Sequence, residues 1–193
     1  MRRIGITGGI GSGKSFVSSI LRNELGVPVY DCDAESKRLT AENETIRVQL
    51  AALVGEDVFD GRGGLNRERL ASYLFASEEH AKAVESIVHP QVREDFRQWC
   101  TAQRTSIVAM ESAILYESGF DAEVDEVLFV AAPIETRIAR AMERDGCPRK
   151  AIHARMARQD TELAREKASW IIKNGKDATK ETILKQLKRI KLC

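Results

Sequence analysis

The sequence is poor in cysteine, proline, histidine and aromatic side chains, and it carries almost no net charge. Its four cysteines, Cys32, Cys100, Cys147 and Cys193, are scattered along 193 residues, with no pair at the spacing of a zinc knuckle or a redox dithiol. That excludes a small disulfide scaffold and predicts reduced thiols, two of them in core positions. Thirteen glycines and four prolines are too few for a low-complexity or collagen-like chain. Lysine and arginine number 30 against 29 acidic residues, so bulk charge gives no reason to expect a nucleic acid or a membrane as partner. The three histidines, His80, His89 and His153, form no pair at metal-ligand spacing, so zinc is not indicated. The best apolar run, Val127 to Ile134, is far too short to span a bilayer. Met1 to Thr7 leads straight into a glycine-rich loop without an apolar leader segment, and the expectation is a cytoplasmic protein.

What is present suits one globular domain with inserted subdomains: 43% of residues are hydrophobic and 31% charged. Short apolar runs alternate with longer helical patterns, which predicts an α/β fold with a mostly parallel sheet. Strands are expected at 3–7, 27–30, 107–111, 126–131 and 169–173, and a helix at 14–25 closing on Gly26. Between the second and third strands lie about seventy residues without a strand signal, too many for an ordinary crossover, so a helical insertion is expected at 36–105. Ile46, Leu50 and Leu53 share one helical face there, Leu70 and Leu74 another, and Val92, Phe96, Trp99 and Cys100 a third. Pro90 is expected in a first helical turn, and Gly61, Gly63 and Gly64 mark a turn. A second insertion, 134–167, begins with a helix over 134–145 that carries Ile134, Ile138 and Met142 on one side. Gly146-Cys147-Pro148 ends that helix. A final helix at about 177–191 is expected to bury Ile183, Leu187 and Ile190. It exposes Lys176, Lys180, Lys185, Lys188, Arg189 and Lys191 as an ordinary solvated face.

The chemistry lies in Gly8-Gly9-Ile10-Gly11-Ser12-Gly13-Lys14-Ser15, a complete G-x-x-x-x-G-K-[ST] loop between a buried strand and a helix. Residues without side chains let successive backbone N–H groups turn inward around a polyphosphate, and the helix N-terminus adds unpaired donors. Lys14 brings a point charge to the β- and γ-phosphates, and the Ser15 hydroxyl suits Mg²⁺. GTP-switch signatures are weak: residues 174–177 read Asn-Gly-Lys-Asp, in the wrong order, and Asp60-Gly61-Arg62-Gly63 matches D-x-x-G only by letters. Asp31 and Asp33 are read at the end of the second strand, where alternate residues share a face and open α/β sheets bind ligands. There they would take a proton from an attacking hydroxyl, hold hydrated Mg²⁺, or cap the following helix. Glu111 ends the third strand and is a candidate to orient Mg²⁺-bound water. Arg137, Arg140 and Arg144 recur at i, i+3 and i+7, either a solvated stripe or a phosphate clamp, with Arg155 and Gln159 on the next helix. His89, in Val88-His89-Pro90, is read at a junction of two helices.

These residues, together with Leu65-Asn66-Arg67 and Phe75, Ile114-Leu115-Tyr116-Glu117, Arg140 to Asp145, and Ile172-Lys173-Asn174, resemble the dephospho-CoA kinase family. The resemblance implies a P-loop fold of the nucleoside-monophosphate-kinase type, with a five-stranded parallel core, a helical substrate domain and a lid. It implies ATP and Mg²⁺ and transfer of the γ-phosphoryl group to the ribose 3′-hydroxyl of dephospho-CoA. By the same resemblance Asp33 is the candidate general base, Lys14 the phosphate clamp, and Arg140 and Arg144 are lid arginines. Gly8, Gly9, Gly11, Ser12, Gly13, Lys14, Ser15 and Phe16 would line ATP, with Asn174 near the adenine. Asp33, Lys37 and His89 would serve the acceptor. Phe16 stands where threonine is usual, Lys37 replaces arginine, Ala113 proline and Ser169 aspartate. Another small-molecule P-loop kinase, or a nucleotide-switched binding protein using the basic final helix, remain alternatives.

Overall fold

The computed structural model describes residues 1–60, 63–157, 159 and 161–190; Gly61, Arg62, Lys191 and Cys193, used in the sequence reading, lie outside them. The first half of the chain runs β1 (Arg2–Thr7), α1 (Lys14–Leu25), β2 (Val29–Asp31), α2 (Cys32–Glu42), α3 (Glu44–Val54), α4 (Arg67–Leu74) and α5 (Glu78–Ala102). The second half runs β3 (Ile107–Glu111), β4 (Glu126–Ala131), α6 (Ile134–Asp145), α7 (Arg149–Met156), α8 (Thr161–Lys167), β5 (Trp170–Lys173) and α9 (Lys180–Arg189). The expected strands all form. The second starts later than predicted, at Val29, since Pro28 has no N–H to give a ladder. The residues divide into two compact units, Met1–Asp31 with Gln103–Cys193, and Cys32–Ala102.

The first unit holds a parallel sheet in the order β2-β3-β1-β4-β5. Ile4 and Ile6 of β1, Leu128 and Val130 of β4 and Ile172 of β5 share one buried cluster with Val17, Ile20 and Leu21 of α1 and Ile183 and Leu187 of α9. Unbroken apolar strands of this kind need both faces covered, which a parallel sheet with crossover helices provides. At the amino-terminal end of the sheet, Glu126 accepts hydrogen bonds from Arg2 (2.6 Å) and from Trp170 Nε1 (2.7 Å), tying β1, β4 and β5 together. Ser169, at a position where the family resemblance suggests aspartate, still supplies an acceptor: its hydroxyl takes the Val127 N–H at 3.1 Å. Helix α9 begins at Lys180, later than expected, because the Thr179–Thr182 capping box fixes its start.

The segment after β4 corrects the predicted apolar stripe. Ile134 and Met142 are exposed, whereas Ile138 and Ala141 are buried against Ile152 and Met156 of α7. The buried side of α6 runs through Ile138 and Ala141, one residue short of Met142.

In the second unit, Asn43 and Asn66 cap α3 and α4 by accepting the N–H groups of Ile46 and Arg69, each contributing about 1 kcal/mol. The buried positions of α3 are Ile46, Leu50 and Val54, with Leu53 only partly covered. Helix α5 runs unbroken through Pro90, so Pro90 is not in a first turn and His89 is not at a junction. Val84, Val88, Val92, Phe96 and Cys100 bury one continuous stripe across the proline, which offsets the lost backbone hydrogen bond. Of the D-x-x-G letters only Asp60 and Gly63 lie within the described residues: Gly63 N–H donates to Asp60 O, and Phe59 pairs with Leu65 as an antiparallel bridge.

Candidate active site

The loop from Gly8 to Ser15 leaves β1 at the carboxyl end of the sheet and closes on the first turn of α1. Gly11 and Gly13 have φ of 74° and 89°, and a Cβ at either would strike protein, the Arg137 backbone at Gly11 and the Asn174 side chain at Gly13. Ser12 N–H closes a turn on Gly9 O at 3.0 Å, and the first helical bond runs from Val17 N–H to Gly13 O. The amides of Lys14, Ser15 and Phe16 therefore have no acceptor within α1 and form its positive end. Phe16 lends that amide while its ring is 40% exposed.

Lys14 folds back so that Nζ donates to Gly8 O at 2.7 Å. Ser15 Oγ donates to Glu111 Oε1 at 2.8 Å, and Glu111 is buried at the end of β3, in register with Ile6. Asn174 is buried behind the loop, and its Nδ2 donates to Ser12 O at 2.8 Å. It thus braces the loop from the end of β5. Ser12 Oγ and Asn174 Oδ1 are buried without a hydrogen-bond partner among the described residues, so the inner wall of the loop keeps polar capacity for a ligand.

The three arginines read as one stripe have three different surroundings. Arg137 is half-buried over the loop, its Nε donating to Ile10 O at 3.0 Å, and burial pushes its pKa below the usual guanidinium value. Arg140 donates from both terminal nitrogens, to Asn174 O and Gly175 O, each at 3.0 Å. Arg144 and Arg155 both bind Asp145, and the two guanidinium groups hold that carboxyl well below its usual range. Gln159 accepts the Ile10 N–H at 2.9 Å and donates to Ala113 O at 3.4 Å.

The remaining expected site residues belong to the helical unit. Asp33 is not on a strand: β2 ends at Asp31, and Cys32 opens α2, with Asp33 and Glu35 in its first turn. Acidic side chains there complement the helix dipole, and the same-face argument for Asp31 and Asp33 fails because the backbone turns helical between them. Asp33 is exposed. Lys37, one turn further, lines a cavity of about 380 Å³ with Ser36, Thr40, Leu65, Arg67 and Leu70 among its walls. His89 is half-buried in mid-helix; burial, aided by Arg93 and opposed by Glu85, pushes its imidazole below the usual value. The cavity was not foreseen, because Leu70 and Leu74 read as core. The hold of Arg137 on Ile10 was missed as well, since it joins positions 127 residues apart.

The dephospho-CoA kinase family model (CoaE) matches residues 2–180. The dephospho-CoA kinase of Bacteroides fragilis is 51% identical over 174 residues, covering 89% of this chain and 84% of its own. A crystal structure from Thermus thermophilus aligns with a TM-score of 0.85 at 35% identity, over 99% of this chain and 96% of its own. The dephospho-CoA kinase from Campylobacter jejuni shares the fold, with a TM-score of 0.70 at 24% identity and coverage of 99% and 96%. A match that runs from the first strand into the last helix takes in the phosphate loop and the helical unit alike, and the chain belongs to the dephospho-CoA kinase family.

Proposed function

We propose that this chain transfers the γ-phosphoryl group of ATP to the ribose 3′-hydroxyl of dephospho-CoA, giving CoA and ADP, the final step of coenzyme A biosynthesis. The observation that carries the reading is the family match over residues 2–180. In the transfer, the bond from the 3′-oxygen to the γ-phosphorus forms as the bond from that phosphorus to the β,γ-bridging oxygen breaks. The hydroxyl proton passes to Asp33. The protein's part is alignment and charge neutralisation.

The amides of residues 8–16 cradle the phosphates, and Lys14 exchanges its bond to Gly8 O for the β- and γ-oxygens. Arg140 now donates to two neutral carbonyls. A phosphate oxygen competes for the same donors with charge-assisted bonds, which is why we assign Arg140 to the transferring group. Arg144 is assigned to the nucleotide as well, and Asn174 acts on it through the loop it braces. Lys37 and His89 are assigned to the acceptor. The corresponding division has a core of 1–35, 106–133 and 168–193, an acceptor-binding insertion at 36–105 and a lid at 134–167.

Mg²⁺ fits the residues present. Ser15 and Glu111 offer a hydroxyl and a carboxylate side by side, and no cluster of three His, Cys, Asp or Glu residues suited to a metal occurs among the described residues. Ser15 would hold the ion and Glu111 would accept a hydrogen bond from its water. Bound there, it would supply positive charge against the phosphate oxygens. The sparse, scattered cysteines favour a reducing compartment, so we place the protein in the cytoplasm; no helix among the described residues is long and apolar enough to cross a membrane.

A coupled assay of ADP release across acceptors tests the reading. Rapid release with dephospho-CoA and only background release with shikimate, nucleosides or no acceptor is expected. Equal release with and without dephospho-CoA overturns it.

A further inference from the structure

Ile10 is the one large apolar residue inside the phosphate loop, and side chains from the segment after β4 hold it in three ways. Its side chain packs on the cluster of Ile138, Ala141, Ile152 and Met156, beside Cys147. Its carbonyl accepts Arg137 Nε at 3.0 Å, and its N–H donates to Gln159 Oε1 at 2.9 Å. Gln159 is fixed in turn through its bond to Ala113 O at 3.4 Å. The fit around Ile10 is close on both sides: a Cβ at Gly9 would strike the Arg137 guanidinium, and one at Gly11 would strike the Arg137 backbone. The loop's later half is braced differently, by Asn174 on Ser12 O and by Ser15 on Glu111.

We propose that Gln159 and Arg137 are positioning residues for nucleotide binding, holding the peptide groups before and after Ile10 so that the first half of the phosphate loop is shaped before ATP arrives. The inference rests on the reading of the loop as an ATP site. An unbraced loop must order on binding, and that cost appears as weaker nucleotide affinity. Gln159 is neutral and already engaged with two main-chain groups, so its effect on nucleotide travels through the Gly9–Ile10 peptide. Because the two residues hold the two peptide groups that flank the Ile10 Cα, their contributions are coupled.

The test uses the full chain with Gln159→Met, Arg137→Met and the double variant, read by titration of a fluorescent ATP analogue, by the KM values of both substrates, and by thermal unfolding. Gln159→Met is expected to raise the Kd for nucleotide and the KM for ATP by about two- to tenfold, the size of one or two neutral hydrogen bonds. The KM for dephospho-CoA should not move. The double variant should lose less than the product of the two single losses. Unchanged nucleotide affinity in Gln159→Met overturns the proposal, as does a rise in both KM values together, which marks a general structural defect. Strictly multiplicative losses overturn the account in which both act on Ile10. If Arg137→Met does not fold, Gln159→Met alone still decides. Nucleotide titration needs no acceptor, so wild-type protein that binds the analogue without dephospho-CoA-dependent ADP release refutes the proposed reaction and leaves the positioning claim standing.

Discussion

The nucleotide end of the sheet and the helical unit Cys32–Ala102 present polar chemistry in opposite ways. At the sheet, the groups aimed at a ligand are mostly main-chain amides, fixed by glycines whose missing side chains are required by their neighbours. In the helical unit, the candidate groups Asp33 and Lys37 are exposed side chains on α2, and the cavity beside Lys37 is walled by side chains, Leu65, Leu70 and Leu74 together with Ser36, Thr40 and Arg67. A site made of backbone tolerates almost no substitution at its glycines. A site made of side chains degrades one contact at a time.

The largest effect expected from breaking this contrast is at Asp33. Asp33→Asn should lower kcat by about 10²- to 10⁴-fold with both KM values nearly unchanged, since it removes a proton acceptor and keeps the shape. Steady-state kinetics decides, and near-normal turnover would remove Asp33 from the base role. Next comes the backbone site itself. Gly13→Ala places a side chain against Asn174 at a φ of 89°, and nucleotide affinity should fall by at least about tenfold, the scale of one strained residue. Calorimetric titration with ADP measures it, and wild-type affinity would mean the loop is not held as described. Lys37→Ala should act more mildly, raising the KM for dephospho-CoA by about three- to tenfold and leaving that for ATP alone, as expected for one exposed point charge. An effect on ATP alone would reassign Lys37.

The smallest effect is a pH dependence of stability. Burial lowers the folded-state pKa of His89 below its ordinary 6.5, so the folded protein resists protonation there. Its stability is complete above pH 6.5 and is lost as pH falls from there through the lowered folded value. Thermal melts from pH 8 to pH 5 should show a steeper acid-side decline for wild type than for His89→Gln. Parallel curves would contradict the assignment.

The same contrast explains what the sequence disclosed. The phosphate loop was legible because its demands are local: strand, glycines, lysine and helix follow one another within a few residues, and the strands declared themselves by unbroken β-branched runs. Glu111 was read at the end of the third strand and stands there, beside Ser15. Asp33 was read at the end of β2 and lies instead in the first turn of α2, since nothing in Asp31-Cys32-Asp33 signals that the chain turns helical at Cys32. Pro90 misled for a related reason, because a proline within a strongly packed stripe reads like a helix start. The separation of Arg137, Arg140 and Arg144 into three environments depends on Ile10, Asn174 and Asp145, distant in sequence except for the last. Periodicity shows which residues share a face; only tertiary packing shows what lies opposite.

The most direct measurement is the product of a single turnover with γ-labelled ATP and dephospho-CoA, its phosphorylation site located by phosphorus NMR. Label found on the ribose 3′-oxygen, in amount equal to the ADP formed, is what a backbone cradle aligned with an acceptor hydroxyl requires. Label recovered as inorganic phosphate, or on any other oxygen, would contradict the account.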